Sequence, residues 1–174
     1  MKRLSLPLLL ILTLTASAAQ GGKAHDQGQV EKAYDRFKDT TTITLKPRRV
    51  LQIASPREEL DISAEAIRKG QTSEAPEEVY LIFNSIGEKW HYYDKADVIF
   101  IVDGNRMEAG TAYVLEGIPG PPLVKETLKL ALPLKTFLQI ANGKDVELSL
   151  GPTQLRLAEK DLLALRAFAS YLTN

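Results

Sequence analysis

Residues Val98–Leu115 read VIFIVDGNRMEAGTAYVL, and their reading decides the fold class. The first five side chains are β-branched or aromatic, which suits a pleated strand better than a helix. Asp103-Gly104 follows at once, a pair that tolerates the positive φ angles of a two-residue hairpin turn. Beyond it, Met107, Ala109, Tyr113 and Leu115 alternate with Arg106, Glu108 and Glu116, so a half-buried return strand is expected. A hairpin in mid-chain needs further strands to cover its apolar face, and the flanking sequence is read for them.

Period-two patterning recurs on both sides. Upstream, Thr41, Ile43 and Leu45 share a face until Pro47 and Arg48 interrupt, and VLQIA resumes at Val50. Leu60, Ile62, Ala64 and Ala66 then alternate with polar residues, and Val79–Ile86 (VYLIFNSI), apolar on both faces, reads as a central strand. The proline-rich IPGPP, Ile118 to Pro122, is expected to break the sheet and form a stiff loop. After it, Val124, Leu128, Leu130 and Leu132 oppose Lys125, Thr127 and Lys129. The period changes at Leu134, Phe137, Leu138 and Ala141, whose spacing predicts a short helix between Pro133 and Gly143. Val146, Leu148 and Leu150, then Leu155 and Leu157, mark two more strands. Leu162, Leu165, Ala169 and Leu172 form the stripe of a C-terminal helix flanked by Leu163 and Phe168. Near the start, Val30, Ala33, Tyr34 and Phe37 also fall at helical spacing. The expected class is mainly β: an antiparallel sandwich, or a partly open barrel, of about eight or nine strands with a short crossover helix and a C-terminal amphipathic helix.

The N-terminus carries Lys2 and Arg3 ahead of the apolar run Leu4–Leu14 and the small residues Ala16-Ser17-Ala18-Ala19, the pattern of a cleaved signal peptide over residues 1–19. Residues 20–33 are expected to be a flexible lead-in, and 34–174 a single β-rich domain. The implied location is outside the cytoplasm, periplasmic or secreted, with no membrane-spanning segment after cleavage. The chain has 0 cysteines, so neither a lipid-modified cysteine nor a disulfide is available to it. Its 22 basic and 22 acidic side chains cancel, which argues against nucleic acid as a partner.

Catalytic motifs are sparse. Only His25 and His91 could serve a serine nucleophile, and neither a GxSxG elbow, an HExxH pair nor a glycine-rich phosphate loop is present. No cofactor, metal or catalytic residue is therefore assigned. Asp94, Asp97 and Asp103 lack the spacing of a calcium loop. A carboxylate pair could be drawn from Asp97, Asp103, Glu108 or Glu116, as any sheet of this composition allows. Trp90, His91, Tyr92 and Tyr93 are the best place to look for recognition, because aromatic side chains offer large contact area at low entropic cost, although core packing is the stronger reading for Trp90. In an extended segment Trp90 and Tyr92 would point one way, into the core, and His91 and Tyr93 the other. Ile118 and Leu123, at the ends of the proline loop, form a second candidate contact.

The segments YDRFKDTTTITL (Tyr34–Leu45) and NGKDVELSLGPTQLRLAEKDLLALRAFA (Asn142–Ala169) resemble those of a group of small exported bacterial proteins of uncharacterised function. The similarity spans about Tyr34 to Leu172 and includes Trp90 ahead of an apolar strand and the Asp103-Gly104 turn. It implies an exported, non-lipidated envelope protein and brings no known catalytic residues. The expected function is a non-catalytic module that binds an envelope protein or a polymer. The alternatives are a hydrolase using a carboxylate pair or His91, and a scaffolding subunit of an envelope assembly.

Overall fold

The computed structural model describes residues 29–72 and 74–173. The expected signal peptide, the lead-in before Gln29 and His25 lie outside them. The elements are β1 (Val30–Asp35), β2 (Thr40–Ile53), β3 (Glu58–Lys69), β4 (Glu78–Gly87), β5 (Lys95–Val102), β6 (Asn105–Gly120), β7 (Leu123–Pro133), α1 (Leu134–Asn142), β8 (Val146–Leu150), β9 (Thr153–Arg156) and α2 (Glu159–Thr173). The chain is mainly β, as its patterning predicts. All nine strands pair antiparallel in one sheet, in the order β1-β2-β3-β4-β7-β6-β5-β8-β9, which does not close into a barrel. The sheet instead bends over on itself: Thr153 in β9 comes within 3.4 Å of Glu58 in β3, although five strands lie between them in the sheet order.

The concave face is the core. Leu60, Ile62, Ala64, Leu81, Phe83, Val98, Phe100, Leu128, Leu130, Leu148 and Leu150 are buried there. One end of this trough is filled by α1 and α2, whose Phe137 and Phe168 rings meet edge to face at 5.6 Å between centroids. The helices form where the pattern predicts, α1 between Pro133 and Gly143. In α2, Phe168 joins the buried stripe while Leu163 is 49% exposed.

Four bulges set which face each segment presents, and they correct several expectations. Lys46 and Pro47 together oppose Ser63, so β2 continues through the proline. Pro47 costs no ladder bond on its other side, because β1 pairs β2 only as far as Leu45. The extra residue turns Arg48 inward, opposite Ile62, and a second bulge at Val50 brings Leu51 and then Ile53 to the inner face. In β6, Ala109 is the extra residue opposite the Val98–Ile99 step. Tyr113 is thereby turned out, and Leu115 is itself a bulge residue, so they are 60% and 62% exposed where a half-buried strand was expected.

The IPGPP segment also differs from its reading as a loop. It is the end of a hairpin, with Pro119 opposite Val124 and Gly120 opposite Leu123. Pro121 and Pro122, joined by a cis peptide bond, form the turn. β5 accompanies β6 only to Tyr113, so beyond that point β6 has no described strand on its second side, and Pro119 leaves no partner among the described residues unbonded. Val30–Asp35 is likewise a strand and not a helix: Val30 to Ala33, assigned to the lead-in, pair with Leu45 to Thr42 of β2. Lone helical spacing over eight residues is too short to outweigh a ready sheet edge. The Asp103-Gly104 turn is as expected, with φ of 51° and 81°.

Candidate functional site

At the end of the trough opposite the helices, residues 88–94 connect β4 to β5 and fold across its mouth. The segment is not extended: Tyr93 has φ 56°. Its shape is imposed by Glu126, which lies on the inner face of β7 with Leu128 and is 2% exposed. One Glu126 oxygen accepts the backbone N–H of His91 at 2.8 Å; the other accepts those of Tyr92 at 3.0 Å and Tyr93 at 3.1 Å. Three converging donors hold a buried carboxylate as a turn holds an anion, and in exchange the carboxylate fixes the loop.

The four aromatic residues are consequently sent in different directions. Tyr92 enters the core at 3% exposure, and Tyr93 is 74% exposed on the outside. Trp90 is half-buried, not a core residue: the Cζ3–Cη2 edge of its indole abuts Gly117 of β6, where any Cβ would stand 2.5 Å from the ring. His91 rests over Gly87 in the same way, with a Cβ there only 2.7 Å from Nε2. Two glycines opposite two rings thus carry the loop against the sheet. Alanine at Gly117 is expected to push the indole outward, destabilising the protein by about 1–3 kcal/mol and shifting the emission of its 1 tryptophan to longer wavelength, which fluorescence reads directly. Ile118, 47% exposed, and Leu123, half-buried, sit on the β6–β7 hairpin and not in the mouth.

The mouth itself is a notch of about 400 Å³ lined by Leu51, Ile53, Glu58, Trp90, His91 and the β8–β9 turn at Pro152, Thr153 and Gln154, with Lys89 on its rim. Its floor is a chain of polar groups. The Tyr92 hydroxyl lies 2.9 Å from Thr153 Oγ1, Thr153 donates to Glu58 Oε1 at 3.4 Å, and His91 Nδ1 stands 3.8 Å from the same Glu58 oxygen. Burial, with the nearby Glu58 and Glu126 carboxylates, pushes the Tyr92 phenol up to about 12 from its ordinary value near 10. The folded state therefore holds this proton more tightly than the unfolded chain. Its stabilisation is complete below pH 10 and is lost as pH rises through about 12. Denaturant midpoints across that window should fall by the equivalent of about 2–3 kcal/mol in the native protein, and a Tyr92→Phe variant should show a shallower drop.

The other acids that could form a catalytic pair are engaged elsewhere. Asp103 accepts the N–H groups of Lys144 and Asp145, both at 2.9 Å, and ties the hairpin turn to the α1–β8 connection. Asp97 accepts the Thr111 hydroxyl at 3.0 Å, and Glu108 pairs with Arg106 at 2.7 Å, both on the outer face. Glu116 is exposed opposite Thr127 on β7. Among the described residues no three of His, Asp and Glu cluster as metal ligands would, and no helix is long and apolar enough to cross a membrane.

Sequence reasoning finds Trp90, His91 and Tyr92 but misses Glu126, Glu58, Leu51, Ile53, Thr153 and Gln154. For Glu126 a signal exists: it falls between Val124 and Leu128 on the apolar face of its strand, an acid where the period demands a hydrophobe. The remaining five join the notch only because distant ends of the sheet meet. Against protein-family models, curated proteins and solved structures, the chain finds no match.

Proposed function

We propose that this chain is an exported envelope protein that works by binding, without catalysis, through the notch at the open end of its bent sheet. The observation that carries the reading is the Glu126 clamp: three backbone bonds to one buried carboxylate hold Trp90 and His91 in place before any ligand arrives. Rigid aromatic presentation lowers the entropy lost on binding and is the construction expected of a recognition surface. Apolar walls at Leu51, Ile53 and Pro152 with a few polar groups beneath them also suit a ligand site. The signal-peptide pattern and the resemblance to small exported proteins support the location, and an envelope protein or polymer is the partner this implies.

A second reading, hydrolysis, is favoured by one observation, the 3.8 Å approach of His91 to Glu58. Against it, Thr153 donates to Glu58 and not to His91, so no hydroxyl is placed for the imidazole to activate. The test is a panel of ester, amide, glycoside and phosphoester reporters with the purified protein, run beside a photo-crosslinker placed at Gln154 in the native envelope. The expected result is no turnover, with a specific crosslinked neighbour that is lost in Trp90→Ala. Turnover that disappears in both His91→Ala and Glu58→Gln would reject the binding-only reading.

A further inference from the structure

Two free strand edges border the notch. On one side, β2 runs on to Ile53 although β1 pairs with it only as far as Leu45, so among the described residues its lower half has a strand, β3, on one side alone. On the other side, β9 is the last strand of the sheet. Leu157 N–H donates to the Val146 carbonyl at 2.9 Å. By the alternation of an antiparallel ladder, this directs the backbone groups of Gln154 and Arg156 away from β8, to a side where no described strand lies. The sheet is thus interrupted along a seam whose lips are a half-unpaired β2 and an unpaired β9, with Leu51, Ile53 and Pro152 between them.

The charges at the seam are unequal. Arg49 and Arg57 are both committed to Glu59, at 2.6 and 2.7 Å, and Arg49 also binds Asp61. Glu58 lines the notch, accepts the Thr153 hydroxyl and stands 3.8 Å from His91 Nδ1; among the described residues no lysine or arginine pairs with it. Lys89, on the rim, makes no ion pair among these residues either. The Trp90 indole forms part of the same wall. A carboxylate without a strong cationic partner, beside an indole, is a receptor for an ammonium or guanidinium group, through a charge-assisted hydrogen bond and a cation–π contact.

We infer that the notch takes an extended peptide segment bearing a lysine or arginine, which adds to the free edge of β9 and places its cationic side chain against Glu58 and Trp90. The inference rests on the binding reading above and names the occupant of that site. Backbone pairing at Gln154 and Arg156 would supply affinity, and the half-buried Glu58 carboxylate would supply selection. On β9, Gln154 and Arg156 lie opposite Ser149 and Glu147 of β8, so a segment paired to β9 would carry alternate side chains to that same outer face of the sheet.

The test titrates the full chain with an acetylated, amidated Thr-Val-Lys-Val-Thr peptide, read by Trp90 fluorescence and by hydrogen exchange at the Gln154 and Arg156 amides. Saturable binding is expected, with slowed exchange at both amides. Binding should weaken about tenfold to a hundredfold when norleucine replaces the lysine, and by a similar factor in a Glu58→Gln protein. Methylating the peptide's alternate backbone nitrogens should weaken it at least as much. No saturable binding of the lysine peptide would overturn the inference, as would equal binding of the norleucine form or unchanged exchange in β9. Spermidine competing as well as the peptide would overturn the strand addition. These failures differ from failure of the binding reading, which is turnover abolished by both His91→Ala and Glu58→Gln.

Discussion

Replacing Glu126 with alanine is expected to destabilise the protein by about 3–5 kcal/mol, a larger effect than loss of the Tyr92 hydroxyl or of the Arg48 charge. The carboxylate accepts the N–H groups of His91, Tyr92 and Tyr93, and it does so at 2% exposure. Removing it strands three donors, of which that of Tyr92 is in the buried interior, and each buried orphan costs roughly 1–3 kcal/mol. The segment 88–94 would lose the force that bends it, and Trp90 and His91 would leave the notch together. Glutamine separates shape from charge. Its amide oxygen can keep the Tyr92 and Tyr93 bonds, but its amino group then confronts the His91 N–H, so an intermediate loss of about 2 kcal/mol is expected. Urea unfolding of the three proteins, with tryptophan emission as a second probe, checks the order native, glutamine, alanine. Equal stability of alanine and native protein would mean that the loop is held by its apolar contacts alone.

The second large effect is expected at Arg48. Its guanidinium donates from Nε to Asp161 at 3.2 Å and from its terminal nitrogens to the Lys160 carbonyl, at 3.2 Å, and to the Gln29 side chain. It therefore links β2, the first turn of α2 and the residue before β1. Asp161 is 3% exposed at its side chain and Arg48 18%, so the pair is largely withdrawn from water. Arg48→Met keeps the stem that packs inward and removes the charge, leaving Asp161 buried without a cation. The expected loss is about 2–4 kcal/mol, the usual cost of breaking a buried pair reduced for the partial exposure of the arginine. Adding Asp161→Asn should recover part of that loss, because a neutral amide has less to lose in the same place. A double-mutant cycle measures this coupling, and strict additivity would show that the two residues act independently.

Arg48 also shows where the sequence stops being legible. Counting by twos from Leu45 puts Pro47 inside and Arg48 outside. The bulge at Lys46-Pro47 reverses that, and the chain becomes continuous where an interruption was expected. The same reversal at Val50 turns Leu51 and Ile53 into the wall of the notch, and the one at Ala109 exposes Tyr113. A bulge is a property of two paired strands, so one strand's alternation cannot announce it. Prolines mislead for a related reason. Pro47 and Pro119 read as breaks, yet both fall where the neighbouring strand has already ended, so the missing N–H has no bond to lose.

The candidate site is half readable. Trp90, His91 and Tyr92 stand out as an aromatic cluster, but their expected alternation fails, because a carboxylate 33 to 35 positions away dictates the backbone there. Glu126 is visible as an acid on an apolar face, the one clue in the sequence to a buried structural charge.

By itself, the sequence determined the strand content, the two helices, the Asp103-Gly104 hairpin and the absence of disulfides, because hydrophobic period and turn chemistry act over a few neighbouring residues. Only the tertiary structure decided that the strands form one bent, unclosed sheet, that Glu58 and Thr153 meet across its seam, and that Glu126 gathers three backbone donors. Those features depend on contacts between residues far apart in the chain, whose partners are selected by how the whole sheet curves and not by local preference.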